Sequence, residues 1–269
     1  MKILHLVGAQ DDSGGILDVI RSLQSATAAQ GCQHLVWVNQ AYHETRRPAL
    51  TYRYSRYLLA ESPNHLRLLF GACRALIELR RLLRQERVDV LHAHSRGALP
   101  LTAALAVLWR RNVLFTNHAY ARRVGLYRWT ARRRHCHTVL LTPNMARHYR
   151  LPLTAPNVHV ISPCVADPFF LHPLVERRPA GPAGPVVRFV GVGNLLRWKN
   201  WLLVIEALAA LPGSARCRLQ FHHWGPLPNS PESAAYLDEL RDCTRRLGLE
   251  NICRFQGFAP SIEAVLAAA

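Results

Sequence analysis

Val190 to Trp201 reads V-G-V-G-N-L-L-R-W-K-N-W, and the assignment of the fold turns on it. It lies between a short apolar run, Val186 to Val190, and a strongly helical segment, Trp198 to Leu211. Glycine lets a backbone turn tightly and approach a ligand closely. A helix N-terminus beside such a turn offers free N–H groups and a positive dipole end to an anion. Arg197 and Lys199 add fixed positive charge at the same place. The turn is therefore expected to receive the phosphates of a nucleotide-linked substrate. The plain alternative leaves Arg197 and Lys199 as solvated residues opening a helix.

Outward from this stretch the chain alternates. Lys2 to Ala9 is an apolar run bounded by turn residues, the pattern of a buried parallel strand. Gln10-Asp11-Asp12-Ser13-Gly14-Gly15 breaks it, and Ile16, Val19, Ile20 and Leu23 then recur at helical spacing, with Gly31 as the stop. His34 to Val38 reads as the second strand and closes a β-loop-α-β unit. Ala41 to Glu61 is less regular and rich in Tyr and Arg. Ser62-Pro63 starts a helix that runs to about Arg87. Strands over 88–95, 112–118, 138–142 and 158–162 then alternate with helices over 99–109, 122–134 and 144–150. Residues 177–185, R-R-P-A-G-P-A-G-P, lack periodicity and read as an interdomain linker. After it the alternation restarts, with strands over 186–190, 217–222 and 252–255, helices over 198–211 and 231–247, and a last helix from Pro260.

Strands alternating with helices predict parallel sheets with helices on both faces. Two such runs across one linker predict an α/β chain of two Rossmann-like domains, residues 1–176 and 186–269. The second offers three strands where five or six are usual, so it is expected to be incomplete. Ligands of these folds bind at the carboxyl ends of the strands. The polar residues there are Gly14, Gly15, His92, His94, His118, Asn194, Lys199 and Gly225.

Composition narrows the class. The 269 residues are enough for a sizeable core, and an apolar fraction of 49% with 19% charged residues fits a globular protein. The net charge of +17 attracts nucleic acid, anionic membrane or phosphorylated substrates. Seven scattered cysteines without C-x-x-C argue against a disulfide framework or zinc ribbon and for a reducing cytosol. No apolar run reaches spanning length, so membrane contact is expected to be peripheral, on the inner face of the plasma membrane. No helix-turn-helix or zinc finger is found, so nucleic acid is not expected as a partner.

Several stretches carry a further signal. Gly14-Gly15 follows the first strand; V-D-V-L-H-A-H-S spans 88–95 and T-N-H spans 116–118. V-I-S-P-C-V-A-D-P-F-F spans 160–170, and F-V-G-V-G-N-L-L-R-W-K-N-W-L-L-V-I-E-A-L spans 189–208. W-G-P at 224–226 and F-Q-G-F at 255–258 complete the series. In this order and spacing they resemble family 4 glycosyltransferases of the GT-B fold, over nearly the whole chain. They are similar to that family's glycine loop, D-V-V-H-A-H-S strand, T-x-H strand end, V-I-P-N-G-V-D-x-x-x-F stretch, F-V-G-R-L-x-x-x-K-G turn, G-x-G-P turn and F-x-G, respectively. The chain departs from the pattern at Asn194, where the family has arginine, at Cys164 with no following glycine, and at His223, where the family has the first glycine of G-x-G-P. The family's E-x7-E segment is expected to lie beyond Ala269.

The resemblance implies a retaining, metal-independent transferase. It would move a sugar from a nucleotide-sugar donor to a glycan or lipid-linked acceptor in envelope polysaccharide or lipopolysaccharide synthesis. The nucleotide-sugar is a substrate and no cofactor is implied. Lys199 stands at the family lysine position, facing the donor diphosphate, and Arg197 substitutes for the missing arginine as a bidentate phosphate ligand. Gly193, Asn194, Asn200 and Gly225 complete the donor site. Gly14 and Gly15 admit a phosphate or acceptor to the first helix end, the alternative being a plain tight turn. His118 contacts the transferred sugar or acceptor, the alternative being a structural histidine.

Other chemistries fit less well. His92 and His94, two apart, share one strand face and raise zinc together with His135, Cys136 and His137, but no third ligand has finger-like spacing and no metal is expected. Gly191-x-Gly193 lacks the third glycine of a nicotinamide fingerprint. The basic stretches, Tyr52 to Tyr57, the helix from Ser62 to Arg87 and Arg122 to Arg134, suit either an anionic membrane interface or ordinary solvated helix faces. The rival function is an inactive remnant of this fold that binds membrane or acidic glycan through its basic face.

Overall fold

The computed structural model describes residues 1–8, 15–40, 42, 50–56, 65–163 and 186–268. The chain divides into two compact units, Met1–Val165 and Ala166–Ala269. In the first, strands β1 (Lys2–Leu6), β2 (Gln33–Asn39), β3 (Thr51–Ser55), β4 (Val90–Ala93), β5 (Val113–Asn117), β6 (Cys136–Leu140) and β7 (Val158–Val160) form one sheet in the order β3-β2-β1-β4-β5-β6-β7. Every pairing is parallel. Parallel neighbours need long crossovers. Helices α1 (Gly15–Ala26), α2 (His65–Glu86), α3 (Leu99–Leu108), α4 (Gly125–Ala131) and α5 (Pro143–Tyr149) lie between the strands. The chain runs outward from β1 to β3 and returns to β4, so the strand order reverses between β1 and β4. In such sheets that reversal opens a crevice at the carboxyl ends.

Successive strand residues face opposite sides. Leu4, Leu6, Leu35, Trp37, Leu91 and Ala93 join Leu79, Leu83, Leu101 and Leu105 of α2 and α3 in the larger core. Val7, Val36 and Val38 join Leu17 and Ile20 of α1 on the other face. Leu79, Leu101 and Leu105 are fully buried, and burying a side chain of this size contributes about 2 kcal/mol. His5, His34 and His92 share the parity of the α1 face, and all three are buried.

The second unit carries β8 (Val187–Val192), β9 (Leu219–Trp224) and β10 (Cys253–Phe255), parallel and ordered β10-β9-β8. Its helices are α6 (Trp201–Ala209), α7 (Gly213–Arg216), α8 (Pro231–Arg246) and α9 (Ile262–Ala267). Leu195, Ile205, Phe221, Tyr236, Leu240 and Leu249 form its core, with α6 packed on α8.

Three elements differ from the sequence reading. The Tyr- and Arg-rich stretch holds an edge strand, β3. Its aromatic residues suit a pleated surface, Arg53 reaches Glu86 at 2.6 Å, and Tyr52 meets Tyr42. The helix expected over 198–211 is interrupted. Residues 197–199 make one 3₁₀ turn, closed by the Asn200 N–H on the Arg197 carbonyl, and Asn200 is left-handed at φ 55°. Asn is among the few residues that adopt this conformation readily. The basic helix over 122–134 contracts to α4, because the Asn157 amide takes up the carbonyls of Ala131, Arg133 and Cys136 as the chain turns into β6. Gly14, the Ser62-Pro63 helix start, Cys164 and the linker at 177–185 lie outside the described residues. No helix among the described residues is long and apolar enough to cross a membrane.

Candidate active site

In the first unit, polar residues gather where the sheet reverses. The His94 N–H extends the ladder past β4, donating to the Leu6 carbonyl at 3.1 Å. Ser95 follows it, and Asn117 and His118 lie at the end of β5. Ser95 Oγ and Asn117 Nδ2 are buried, with no hydrogen-bond partner among the described residues. Helix α5 holds the loop after His118. Thr142 caps this helix through Met145 N–H, and Pro143 takes the first turn, where its missing N–H costs nothing. Tyr149 then accepts from Ala121 N–H and donates to the Ala119 carbonyl, both at 2.7 Å. His148 Nε2 donates to the Ala121 carbonyl at 2.8 Å. Residues 118–121 are thereby fixed to a helix.

Behind His118 lies a file of imidazoles. His94 Nδ1 is 3.1 Å from His118 Nε2, His5 Nδ1 is 2.9 Å from His94 Nε2, and His34 Nδ1 is 2.9 Å from His5 Nε2. His92 packs beside His94, ring centroids 3.9 Å apart, and bonds to Thr116 Oγ1. Burial disfavours the charged form of a histidine. It pushes His118 down to about 4 and His92 down to about 3, with nearby histidine charge adding to the shift in His92. His5 and His94 are also pushed well down, first by burial and then by their neighbours. The rings are therefore neutral near neutral pH.

In the second unit the turn after β8 is sewn to the next strand ends. Gly193 N–H donates to the Trp224 carbonyl at 2.9 Å and Leu195 N–H to Pro226 at 3.2 Å. Gly225 N–H donates to Gly257 at 2.8 Å. Trp201 Nε1 donates to the Asn194 carbonyl at 3.1 Å, tying α6 to the turn. A Cβ on Gly225 would stand 1.9 Å from the Gly193 carbonyl oxygen, so only glycine fits there. His223, at the position of the first glycine of G-x-G-P, is fully buried edge-on against Trp201, and burial pushes it down to about 4. Leu195 is buried, while Arg197, Lys199 and Asn200 are exposed.

Arg197 is paired with Glu239 of α8 and lies 5.0 Å above the Tyr236 ring. Lys199 extends over Trp198 at 4.5 Å, with no carboxylate partner among the described residues. Among the described residues, Lys199 is thus the cation of the turn without a counter-charge. Gly15 begins α1 and is exposed. The zinc set raised by the sequence does not assemble. His135 bonds to Asn112, Cys136 is wholly buried, and His137 stacks on His159. His92 and His94 instead join His5, whose nitrogens lie within 4.8 Å of theirs. Sequence reasoning missed His5, His34, Ser95 and Asn117. The available signal was a histidine at a buried-face position in each of three adjacent strands.

The geometry has relatives among solved structures. Sucrose-phosphate synthase from Thermosynechococcus elongatus aligns with a TM-score of 0.73 at 15% identity, covering 100% of this chain and 73% of that one. Anabaena HepE in complex with UDP and glucose aligns with a TM-score of 0.69 at 18% identity, covering 100% and 72%. WaaG, a glycosyltransferase involved in lipopolysaccharide biosynthesis, aligns with a TM-score of 0.58 at 15% identity, covering 99% and 73%. At these identities the likeness shows the fold, which is GT-B. No curated protein matches the chain. The model of Glycosyltransferase Family 4 matches residues 13–169, more than half of the sequence. By that match the chain belongs to glycosyltransferase family 4 and is a glycosyltransferase of the GT-B type.

Proposed function

We propose that the protein transfers a sugar, with retention and without a metal, from a nucleoside diphosphate sugar to a glycan or lipid-linked acceptor of the cell envelope. The observation that carries this reading is the turn at 193–200. It presents Lys199, without a carboxylate partner among the described residues, at the carboxyl end of β8. Negative charge grows on the departing nucleoside diphosphate, and a cation placed there stabilises it. Gly193, Asn194, Asn200 and Gly225 shape the donor turn, and Arg197 joins it by exchanging Glu239 for phosphate. In the first unit His118 contacts the sugar or acceptor, and Gly14 and Gly15 admit the acceptor. Ser95 Oγ and Asn117 Nδ2 are suited to sugar hydroxyls, because neither has another partner among the described residues. HepE, with its UDP and UDP-glucose complexes, makes a uridine donor the first to test.

Calorimetry with UDP-glucose, then with other nucleotide-sugars, tests the donor site. A hydrogen bond to a charged group contributes about 1.5–3 kcal/mol. Lys199→Ala is therefore expected to weaken donor binding by about ten- to a hundredfold while the melting temperature holds. Unchanged affinity removes the assignment.

A lipid-linked acceptor requires a route to the membrane, and two helices supply it. Leu66 and Phe70 of α2 and Leu126 and Trp129 of α4 are exposed, with Arg74 over Phe70 and Arg133 over Trp129. Basic residues beside exposed aromatics favour an anionic interface, at about 1 kcal/mol per charge. The protein is expected to float with vesicles containing phosphatidylserine at low salt and to release at high salt. Failure to float at low salt ends the membrane reading.

A further inference from the structure

We propose that Thr27, His34, His5 and His94 form a one-way hydrogen-bond chain that holds His118 as its Nε2–H tautomer and leaves the Nδ1 lone pair for a ligand hydroxyl. The last clause rests on the sugar contact assigned to His118 above; the chain itself does not.

The direction follows from a single proton. Thr27 Oγ1 lies 2.8 Å from the Leu23 carbonyl oxygen and 2.8 Å from His34 Nε2. A carbonyl only accepts, and a hydroxyl has one hydrogen. The Thr27 proton therefore lies on Leu23, and His34 must donate from Nε2. The opposite arrangement would set two oxygen lone pairs against each other at 2.8 Å. With its proton on Nε2, neutral His34 has a bare Nδ1, which accepts from His5 Nε2 at 2.9 Å. His5 Nδ1 is then bare and accepts from His94 Nε2 at 2.9 Å. By the same step His94 Nδ1 accepts from His118 Nε2 at 3.1 Å. His34, His5 and His94 each donate once and accept once, which is the whole capacity of a neutral imidazole, and His118 donates and keeps its acceptor free of the chain.

The fold builds this file deliberately. His5 and His92 are directly paired across β1 and β4, and His34, second residue of the neighbouring strand β2, lies on the same sheet face. Thr27 closes α1, whose body covers that face. The file thus runs beneath α1, from the start of β2 to the carboxyl ends of β4 and β5. Thr27, His34, His5 and His94 act through His118 and are positioning residues. A tautomer fixed before the ligand arrives removes a reorganisation step from binding.

The test is a long-range 1H–15N correlation spectrum of the full chain labelled with 15N-histidine, at about pH 7.5. His34, His5, His94 and His118 are each expected to show a protonated Nε2 and a bare Nδ1. Thr27→Val keeps the side-chain shape and removes the terminating hydroxyl, so His118 is expected to become a mixture of tautomers. Thr27→Ser is expected to restore the single form. A protonated Nδ1 on any of the four rings in the native chain overturns the proposal. So does a His118 tautomer unaffected by Thr27→Val. One tightly bound zinc per chain, measured by elemental analysis, also overturns it, since His5, His92 and His94 would then be ligands. Addition of UDP-glucose and acceptor glycan separates the two layers. If His118 keeps its Thr27-dependent tautomer but ignores both ligands, the chain stands and the sugar contact falls.

Discussion

Lowering the pH from about 7.5 to about 4.5 is expected to bring the protein to the edge of unfolding, with most of the loss arriving above the range in which ordinary carboxylates titrate. The cause is the buried imidazoles. His92 and His118 stand at about 3 and about 4 in the folded chain, against about 6.5 in an unfolded one. Between those values the unfolded chain binds more protons, so acid favours it. Stability is complete above about pH 6.5 and falls as the pH drops toward the folded values. Each such group costs about 1.4 kcal/mol per pH unit in that window, so the pair removes about 5 kcal/mol over two units. Typical total stability is about 5–15 kcal/mol. His5 and His94 push in the same direction, and the net charge of +17 already opposes further protonation. Glu86, held below its usual range by Arg53, loses its contribution only at lower pH. Thermal melts followed by circular dichroism at intervals across this range check the argument. A melting temperature that is flat down to about pH 5 refutes it, and His118→Gln is expected to shallow the slope.

How much of this was legible in the sequence depends on range. The β/α alternation is a local signal, and it places nine of the ten strands within a few residues. Strand β3 escapes because T-Y-R-Y-S alternates without a strong apolar face, and its partner Glu86 lies far along the chain. The break at Asn200 escapes because R-W-K-N-W-L-L fits a helix at every position, and a single left-handed residue leaves no mark on periodicity. At the candidate site, the sequence places His118 just past a strand and Lys199 in the turn that follows β8. The company His118 keeps is not legible there. His5 and His34 lie 29 residues apart and meet only because β1 and β2 pair side by side. Arg197 shows the same limit, since its partner Glu239 is 42 residues away on another helix. Residue type and spacing point to the chemistry available; long-range pairing decides which groups are neutral, fixed or already taken.

Gly225→Ala is expected to cost both stability and donor binding, and the two losses should arrive together. The new Cβ would stand 1.9 Å from Gly193 oxygen, 2.5 Å from Gly193 carbon and 3.2 Å from Gly193 nitrogen. These are backbone atoms, so no rotamer relieves the collision and one strand end must move. Overpacking a well-packed site costs about 1–3 kcal/mol, and displacing backbone puts this case at the upper end. The movement has little freedom in its direction. Gly225 is tied to Gly257, while Gly193 is tied to Trp224 and Leu195 to Pro226. Relief therefore comes by tearing the Gly193 turn from β9, and that turn leads into Arg197 and Lys199. UDP-glucose affinity is expected to fall at least tenfold, or about 1.4 kcal/mol. Gly257→Ala is the control. Gly257 has φ 79° and no atom within 4 Å of a new Cβ, so it carries only the left-handed cost of about 1–2 kcal/mol. It should lower the melting temperature and leave donor affinity in place. If both variants weaken donor binding equally, affinity is following global stability, and the contact between Gly225 and Gly193 has no special part in shaping the donor turn. If Gly225→Ala alone weakens it, the turn that began as a run of glycines and basic residues is held in its binding shape by one carbonyl packed against one missing side chain.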